Sequence, residues 1–377
     1  MHVLKKTKDI RATGRSSDRP GILWLTNIPS PYRVDFFNEL GRFCDLTVLF
    51  EKERSAERDE QWKGDEFASF RGVILKGLPA GPAEAFCPGV LRYLRKEYDY
   101  IIVSNYSDPS GILAVLYLKA RKRPYLIEGD GAFPGSGSGS REKLKKWIIS
   151  GASLCFSTGR MHDAYLRMYG AKNILRYPFT SLKAEEILDK PLEAWKKAEI
   201  RTQLGIHERR VVLAVGQFIH RKGYDVLLKA AAVMDRTAGF YIVGGTAPDG
   251  YKEVVRHYRL KHVHFIPFMP KEQLKQYYLA ADVFAHPSRE DIWGLAVNEA
   301  LARALPVVST NRCNAALELV KDGVNGFIIP AEDSAALAAA LQVCFRRKDM
   351  PEKALASVRP YTIEKMVERH VEALRSL

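Results

Sequence analysis

The stretch SREDIWGLAVNEALARALPVVST, residues 288–310, decides how the second half of the chain folds. The preceding ADVFAHPS is a continuous apolar run typical of a buried strand, and residues 288–293 are expected to form a loop. From Gly294 the apolar positions recur at helical spacing, and LPVVST then returns to a short apolar run. Strand, loop, helix and strand in this order predict an α/β unit built on a parallel sheet.

The same alternation runs through both halves of the chain. Short apolar runs between amphipathic segments are typical of strands that helices cover on both faces. These runs are GILWLTNI (21–28), YDYIIVSN (98–105), RPYLIEGD (123–130), RRVVLAVG (209–216), AGFYIVGG (238–245) and NGFIIP (325–330). They predict two doubly wound, Rossmann-like α/β domains that face a central cleft, with ligands at the carboxyl ends of the strands.

The charged segment KAEEILDKPLEAWKKAEIRTQLGI has few β-forming residues and separates the two halves. We therefore assign residues 1–185 to an N-terminal domain, in which residues 1–20 are expected to be a loose tail. Residues 186–358 form a C-terminal domain, where Ser334 is a suitable N-cap for the helix SAALAAALQVCFRR. Residues 359–377 form a last helix that can pack back on the N-terminal domain.

The composition favours a cytoplasmic protein. The chain has 377 residues, enough for two cores, and its five cysteines lack CxxC pairing, so neither a disulfide framework nor a zinc site is indicated. The first twenty residues lack the apolar core of a signal peptide, and no later apolar run approaches membrane-spanning length.

The formal net charge of +14 indicates an anionic partner. Basic residues cluster in the first half, at Lys5, Lys6, Lys8, Lys119, Arg121, Lys122, Arg123, Arg141, Lys143, Lys145 and Lys146. Each cluster by itself suits a solvated helix face or turn, whereas the clusters together suit docking on an anionic membrane surface. Aromatic residues are not interleaved with the basic ones, and no nucleic-acid-binding module is recognised, so nucleic acid is not an expected partner.

Residues 215–225, VGQFIHRKGYD, join a strand that ends at Gly216 to a helix that begins near Gly223. Backbone N–H groups at such a turn, together with Arg221 or Lys222, can bind an anion such as a diphosphate. The alternative is a tight turn whose glycines serve only its geometry. The GxxxxGK[ST] spacing of a P-loop is missing.

The helix that begins near Gly294 offers a second anion site. The amides of Gly294, Leu295 and Ala296 are donors without partners inside the helix, and they are expected to point into the cleft. Glu299 follows about one turn later and suits the vicinal diol of a ribose, because each carboxylate oxygen accepts a hydroxyl hydrogen bond. The alternative is a carboxylate placed early in a helix for its dipole.

The motifs VGQ-x4-KG, IVGG, AADVFAHPS, ED-x2-GLAVNEALARALPVVST and VKDGVNGFIIPAEDSAAL occur in an order that resembles the retaining glycosyltransferases of family 4, also described as glycosyl transferases group 1. The resemblance covers roughly residues 205–345 and implies the GT-B fold. In the first half, NIPSPYRVDFFNEL and YPFTSL are similar to members found in capsule, exopolysaccharide and lipopolysaccharide assembly.

The family places two acidic residues eight positions apart, with a glycine three residues after the first. Gly294 therefore matches this pattern to Asp291 and Glu299 and leaves Glu290 outside it. The resemblance implies that Glu299 binds the ribose of a nucleotide sugar and that Asp291 contacts the hydroxyls of the transferred sugar. Asp291 is one methylene shorter than the glutamate of the family.

The resemblance also implies a diphosphate-binding role for Lys222. The family has a partner arginine five residues earlier, where this chain has Gln217. This exchange keeps a hydrogen-bond donor but loses a charge, unless Arg221 or another base supplies it.

In the N-terminal domain, the family supplies acceptor contacts and often a histidine near a strand end, close to the reacting sugar. Asp130 best matches this position in RPYLIEGDG, with Glu128 two residues earlier, and both are catalytic candidates; the alternative is that they solvate the strand end. Tyr32 and Arg33 begin a helix that faces the expected cleft and are candidates for the acceptor side. The alternative is that these two residues only cap the helix and pack against its neighbours.

The sequence thus predicts a retaining glycosyltransferase that transfers a hexose from a UDP- or GDP-linked sugar. The expected acceptor is a lipid-linked glycan in cell-surface polysaccharide biosynthesis. No DxD motif occurs, so no metal and no cofactor apart from the donor is expected. The enzyme is expected in the cytoplasm, peripherally at the inner face of the cell membrane. The alternatives are a GT-B sugar-nucleotide epimerase or hydrolase and a degenerate, non-catalytic glycan-binding subunit.

Overall fold

A computed structural model describes residues 19–54, 66–135 and 137–377. The expected loose tail lies outside the described residues except for its last two positions, and Lys5, Lys6 and Lys8 lie outside them as well. The described chain forms two α/β domains, each built on one parallel sheet.

The N-terminal domain contains a parallel sheet in the order β3-β2-β1-β6-β7-β8-β9, with a small antiparallel pair, β4 and β5, beside it. Its strands are β1 (Gly21–Thr26), β2 (Asp45–Phe50), β3 (Arg71–Ile74), β4 (Leu78–Pro79), β5 (Ala85–Phe86), β6 (Tyr100–Val103), β7 (Leu126–Ile127), β8 (Leu154–Ser157) and β9 (Ile174–Arg176). Its helices are α1 (Pro31–Leu40), α2 (Val90–Leu94), α3 (Pro109–Ala120), α4 (Ser140–Ile149) and α5 (Arg160–Met168).

The C-terminal domain contains a parallel sheet in the order β12-β11-β10-β13-β14-β15. Its strands are β10 (Arg210–Val215), β11 (Ala238–Val243), β12 (Val263–Ile266), β13 (Val283–His286), β14 (Val307–Thr310) and β15 (Gly326–Ile329). The helices of the second half are α6 (Ala194–Gln203), α7 (Tyr224–Val233), α8 (Asp249–His257), α9 (Lys271–Ala280), α10 (Leu295–Leu301), α11 (Asn314–Leu319), α12 (Ser334–Arg346), α13 (Met350–Val358) and α14 (Ile363–Arg375).

Both sheets have the strand order of a doubly wound domain, which confirms the fold class that the sequence predicts. The order reverses between β1 and β6 in the first sheet and between β10 and β13 in the second, and each reversal leaves a crevice at the carboxyl ends of the strands. Strands β1 and β11 are buried at all six positions, because helices cover both faces of their sheets. None of the helices in the described ranges is long and apolar enough to cross a bilayer.

The last helix, α14, packs on α1 of the N-terminal domain. His370 on α14 is completely buried, and its ring contacts the rings of Trp24, Phe36, Phe156 and Tyr177. The chain therefore crosses between the domains twice, once after β9 and once before α14, and both crossings lie beside the N-terminal core.

Helix α12 has a different N-cap from the one that the sequence predicts. Ser334 is its first helical residue, and the cap is Asp333, whose Oδ1 accepts a hydrogen bond of 2.8 Å from the amide of Ala336. Aspartate and serine are both good N-caps, and Asp333 prevails because its side chain reaches the amide of the third helical residue.

Candidate active site

The candidate residues of the C-terminal domain lie at the carboxyl ends of β10 and β13. These strands pair with each other where the sheet order reverses, so their loops flank the crevice. The loop after β10 carries Gly216, Gln217, Arg221 and Lys222, and the loop after β13 carries Asp291 and leads to Gly294.

The two loops are held in close contact. Gly223 has a φ of 67°, and a Cβ atom there would lie 2.1 Å from the carbonyl oxygen of Pro287. Only glycine permits this approach together with this backbone conformation. Arg289 strengthens the contact, since its amide donates to the carbonyl of Arg221 at 2.9 Å and its guanidinium pairs with Asp225 at 2.7 Å.

Lys222 and Asp291 form an ion pair between the two loops. The Nζ of Lys222 lies 2.6 Å from Oδ2 of Asp291, and the guanidinium of Arg221 lies 3.4 Å from Oδ1. The Nε2 of His286 lies 3.0 Å from the same Oδ2. Two cations therefore face one carboxylate, which leaves the cluster with a surplus positive charge suited to an anion.

The electrostatics fix the protonation of this cluster. Burial would raise the pKa of Asp291, but Lys222 and the hydrogen bond with His286 hold it well below the usual range of a carboxyl group. Burial and the charge of Lys222 lower the pKa of His286, so this ring is neutral at pH 7. Asp291 is 6% exposed, and its oxygens already have three partners. Contact between Asp291 and a sugar therefore requires one of these partners to move.

Helix α10 begins where the sequence predicts. Gly294 has a φ of 100°, and a Cβ atom there would lie 2.8 Å from the sulfur of Cys313, so the turn into the helix requires glycine. Leu295 and Ala296, the first two residues of α10, are half-buried. Their amides belong to the first turn, which has no acceptors inside the helix.

Glu299 lies on the first turns of α10 and is held by two hydroxyl groups. Its Oε1 accepts from Ser181 at 3.3 Å, and its Oε2 accepts from Tyr278 at 2.9 Å. Burial raises the pKa of this carboxyl, and the hydrogen bond from Tyr278 opposes the rise. Glu299 thus already accepts hydroxyl hydrogen bonds, which is the interaction that a ribose offers.

The structure places Glu128 and Arg33 in a buried ion pair. The side chain of Glu128 is completely buried, and its two oxygens accept from Arg33 at 3.0 and 2.8 Å. Ser104 donates to Glu128 at 2.7 Å, and Tyr177 also donates to it. Arg33 is 4% exposed. The two charges neutralise each other inside the domain, so this pair fastens α1 to the end of β7 and is not open to a substrate.

Asp130 and Tyr32 lie at the open side of this buried network. The hydroxyl of Tyr32 donates to Oδ2 of Asp130 at 2.6 Å, and Arg33 contacts the other oxygen. The side chain of Asp130 keeps 31% of its surface exposed. Burial raises its pKa, Arg33 lowers it, and the charge of Glu128 raises it again. Asp130 is therefore the acidic member of this network that keeps surface open to a substrate.

The two domains touch beside these candidate residues. Gly131 has a φ of 126°, and a Cβ atom there would lie 2.0 Å from the carbonyl oxygen of Ile292. The side-chain amide of Asn314 donates to that carbonyl at 2.7 Å and to the carbonyl of Ala132 at 3.2 Å. The backbones of the two domains are thus in direct contact at this point.

A second contact between the domains involves Arg160 and Glu318. Oε1 of Glu318 accepts from the backbone amide of Arg160 at 2.6 Å and from its guanidinium at 3.1 Å. The two contacts hold the domains in a closed arrangement. Asp130 and Asp291 are each next in sequence to a residue of the first contact, so the two acids lie on segments that meet between the domains.

Sequence patterns do not identify the residues that hold Glu299. Tyr278 is one of two adjacent tyrosines in α9, and Ser181 belongs to the junction YPFTSL between the domains. The junction motif draws attention to Ser181, because it lies between the two domains. Nothing in the sequence distinguishes Tyr278 from an aromatic residue of the core. His286 is buried, and its Nε2 lies 3.0 Å from both the hydroxyl of Ser288 and Oδ2 of Asp291, so this ring helps to orient a candidate residue.

Comparison with known proteins relates the chain to a family. The family model described as "Glycosyl transferases group 1" matches residues 196–359. The chain is 32% identical over 340 residues to a D-inositol 3-phosphate glycosyltransferase of Corynebacterium urealyticum, covering 82% of this chain and 79% of that protein. It is also 32% identical over 329 residues to a GDP-mannose-dependent alpha-(1-6)-phosphatidylinositol monomannoside mannosyltransferase of Mycolicibacterium smegmatis, covering 82% and 83%.

A solved structure shares the fold along nearly the whole chain. Anabaena Alr3699/HepE in complex with UDP superimposes with a TM-score of 0.77 over 95% of this chain and 100% of that chain, at 19% sequence identity. At this identity the likeness shows the fold, which is the GT-B arrangement that the sequence predicts.

Proposed function

The chain belongs to the glycosyl transferases group 1 family and is a glycosyltransferase, and we propose that it transfers a hexose from a nucleotide-diphosphate sugar to a glycan acceptor with retention of configuration. One observation carries the proposal: Lys222 and Arg221 face the single carboxylate of Asp291 at the carboxyl edge of the C-terminal sheet, with Glu299 on the adjoining helix. A positive cluster next to a hydroxyl-accepting carboxylate suits a diphosphate joined to a ribose.

Lys222 and Arg221 are the groups that bind the diphosphate in this proposal. The ammonium group of Lys222 has three donors, and its bond to Asp291 uses one of them. The side chain of Arg221 is 44% exposed and supplies the charge that Gln217 lacks. As the bond to the sugar breaks, negative charge develops on the leaving diphosphate, and these preorganised cations stabilise it.

Glu299 binds the ribose in this proposal, and the amides of Gly294, Leu295 and Ala296 add donors for the phosphates. Glu299 exchanges the hydroxyl groups of Ser181 or Tyr278 for those of the ribose, so its hydrogen-bond count is preserved. Among similar proteins, the solved structure contains UDP and the name of the mannosyltransferase specifies GDP-mannose. Either nucleotide is therefore a candidate donor component.

Asp291 and Asp130 are proposed to flank the transferred sugar from opposite domains. Asp291 reaches a sugar hydroxyl when His286 or Arg221 releases one of its oxygens. Asp130 presents its partly exposed carboxyl group from the N-terminal side and stabilises the positive charge that develops on the sugar ring. Closure of the two domains excludes water and limits hydrolysis.

No metal ion is part of the proposed reaction. The sequence contains no DxD motif, and the cations that stabilise the leaving group are Lys222 and Arg221. We therefore expect a chelator to leave the transfer rate unchanged and added magnesium or manganese to change it less than twofold. A rate that falls to background with the chelator and returns with metal would contradict this part of the proposal.

The acceptor is proposed to be a lipid-linked glycan of cell-surface polysaccharide synthesis, reached from the cytoplasmic face of the membrane. The name of the mannosyltransferase relative includes a phosphatidylinositol monomannoside, which is a lipid. On this chain, Trp147 is 42% exposed and Leu116 is 46% exposed. The Nζ of Lys119 lies 3.9 Å from the ring centroid of Trp147. Exposed apolar side chains beside basic ones suit an anionic lipid surface.

Co-sedimentation with vesicles tests this location. Vesicles that contain phosphatidylglycerol are expected to retain the protein at low salt, vesicles of phosphatidylcholine alone are not, and Trp147→Ala is expected to weaken retention. Equal retention by both kinds of vesicle would contradict docking on an anionic surface.

A thermal-shift screen of UDP- and GDP-linked hexoses tests the donor, followed by mass spectrometry of products with a membrane extract as the acceptor. The proposal expects one donor to raise the melting temperature and its hexose to appear on a lipid-soluble product. Epimer or free sugar that forms at turnover rates without acceptor would favour an epimerase or a hydrolase. If no nucleotide sugar raises the melting temperature, a non-catalytic glycan-binding subunit is the better account.

A further inference from the structure

A second cavity opens at the opposite edge of the C-terminal sheet. It has a volume of about 170 Å³ and is lined by Arg210 at the start of β10, by residues just before β13 and β14, and by the end of α12. The donor cluster lies beyond the other end of β10, which is six residues long, so roughly 17 Å of strand separates the two places. The cavity therefore lies away from Lys222 and Asp291, although its lining residue Arg303 is near enough to Glu299 to lower the pKa of that carboxyl.

Positive charge dominates the lining of this cavity. Five basic side chains line it, namely Lys197, Arg210, Arg303, Arg347 and Lys348, against the single carboxylate of Asp282. Asp282 is already held by Lys197 at 3.6 Å and by Arg201 at 2.8 Å. The carboxylate of Asp349 satisfies Arg347 at 2.7 Å.

Arg210 and Lys348 have no such partner. Neither forms an ion pair with a carboxylate anywhere in the described ranges, and the guanidinium of Arg210 instead lies 5.7 Å from the ring centroid of Phe345. Burial lowers the pKa of Lys197 nearby, and the charges of Arg201 and Arg210 lower it further, although Asp282 opposes them. The cavity is thus crowded with like charges that its own acids do not balance.

Arg303 adds a buried donor that has no acceptor. This residue is only 7% exposed, and one of its terminal nitrogens donates to the carbonyl of Glu186. Its Nε has no hydrogen-bond partner among the described residues. A buried guanidinium that leaves a donor unused is costly, and an anion in the cavity that it lines would supply the acceptor.

We propose that this cavity binds the phosphate group of a small phosphorylated molecule, with Arg303 at its base and Arg210 and Lys348 at its sides. A phosphate group has the oxygen acceptors that these donors lack, and it brings the negative charge that the lining needs. The volume of about 170 Å³ suits a phosphate group with a small substituent and excludes a folded partner. The site lies at a different edge of the sheet from the cluster of Lys222 and Asp291.

Thermal-shift titration of the full chain at constant ionic strength tests this site. The probes are inorganic phosphate and glucose 6-phosphate, which distinguish a free phosphate ion from a phosphomonoester, with chloride as the reference anion. Both probes are expected to raise the melting temperature to a plateau, and glucose 6-phosphate is expected to do so at a lower concentration if the substituent is also bound. A linear rise that is equal for chloride would overturn the proposal.

Charge variants locate the binding. Arg210→Gln and, separately, Lys348→Gln are expected to raise the half-saturation concentration about tenfold or more, because each removes a charge-assisted hydrogen bond. Arg346→Gln is the matched control, since it removes one charge from the exposed last residue of α12, two positions before Lys348, and Arg346 does not line the cavity. Having two separate variants covers the case in which Arg210→Gln fails to fold.

Lys222→Ala separates this cavity from the donor cluster, where phosphate can also bind. The plateau is expected to persist in Lys222→Ala and to be lost in the cavity variants. Loss of the plateau in Lys222→Ala alone would place the phosphate at the donor cluster and overturn the proposal. An equal effect of Arg346→Gln and the cavity variants would show a general response to net charge and would overturn it as well.

Discussion

Glu290 and Asp291 are neighbouring acids with opposite surroundings. The side chain of Glu290 is 47% exposed and pairs with the exposed Arg312, whereas Asp291 is nearly buried between Lys222 and His286. The exposed pair contributes little, since pairs of this kind are worth about 0 to 1 kcal/mol. Asp291 instead orients Lys222, the lysine that is proposed to bind the diphosphate.

We predict that Glu290→Ala keeps the transfer rate within about twofold of the wild type, while Asp291→Asn lowers it about 100-fold or more, the scale of losing one preorganised electrostatic group. Initial rates with saturating acceptor check this prediction. Equal losses in the two variants would contradict the role given to Gly294 in setting the register of the acids.

Glu51, just after β2, gives a prediction for pH. Burial raises its pKa to about 8, although the amide of Ala85, 2.7 Å away, opposes the rise. Because the folded protein holds this proton more tightly than the unfolded chain, the stabilisation is complete below the usual glutamate pKa and is lost as the pH rises through about 8.

We therefore predict that the free energy of unfolding falls between pH 5 and pH 9 by less in Glu51→Gln than in the wild type, because glutamine does not titrate. Denaturant unfolding at both pH values measures this change in the free energy of unfolding. The control is Glu185→Gln, at an exposed position. The idea fails if Glu51→Gln and Glu185→Gln retain the same pH dependence as the wild type.

The environments of single residues explain which features of the site can be predicted from the sequence and which cannot. The spacing of Asp291 and Glu299 from Gly294 is readable in the chain, because a helix start fixes their relative positions. The burial of Glu128 cannot be predicted from the sequence. Its partner Arg33 lies 95 positions away, and the two meet only because α1 packs on β7. An acid near a strand end therefore looks like a site residue whether or not a distant arginine neutralises it.

Among the elements, the loop between β10 and α7 requires glycine at its last position, Gly223. Gly223 and Gly205 have nearly the same φ, 67° and 66°, but a Cβ atom at Gly205 would meet nothing within 4 Å. An alanine at Gly205 therefore meets only the unfavourable backbone conformation, whereas an alanine at Gly223 meets the same conformation and a clash with Pro287.

We predict that Gly205→Ala lowers the free energy of unfolding by about 1 to 2 kcal/mol, the cost of left-handed backbone for alanine. Gly223→Ala is expected to lower it by clearly more and also to weaken nucleotide binding, because the loop must move away from Pro287. Denaturant unfolding and nucleotide titration measure the two effects. Equal destabilisation by both variants would show that the close approach costs nothing.

Most elements could be predicted from the sequence because apolar periodicity reports burial directly. The start of α10 at Gly294 and the strand before it were predicted correctly. The cap of α12 was not, because Asp333 and Ser334 are adjacent and both are good N-caps. Periodicity does not resolve a difference of one residue, which depends on the side-chain geometry at the helix end.

At the scale of the whole molecule, the fold follows from the alternation of strands and helices, but the contact between the domains does not. Gly131 is one glycine in the glycine-rich GAFPGSGSGS segment, and the sequence does not show that it touches the carbonyl of Ile292. The contact joins chain segments 161 positions apart, and it decides how closely Asp130 approaches the donor cluster.

We predict that Gly131→Ala leaves each domain folded but prevents the closed arrangement, because its Cβ atom would lie 2.0 Å from the carbonyl oxygen of Ile292. The value of kcat/KM is expected to fall at least about tenfold, since misplaced reacting groups are costly. The radius of gyration measured by small-angle scattering is expected to rise. Gly135→Ala, in the same segment with open space around its Cβ position, is the control. Unchanged transfer in Gly131→Ala would show that closure at this point is dispensable.

The central claim is that Lys222 and Glu299 bind a nucleotide diphosphate, and calorimetric titration with UDP and with GDP tests it most directly. We predict that at least one of the two nucleotides binds the wild type, that Lys222→Ala and Glu299→Ala each raise its dissociation constant at least about tenfold, and that Glu290→Ala changes it less than twofold. Binding of neither nucleotide to the wild type, or wild-type affinity in both Lys222→Ala and Glu299→Ala, would contradict the claim.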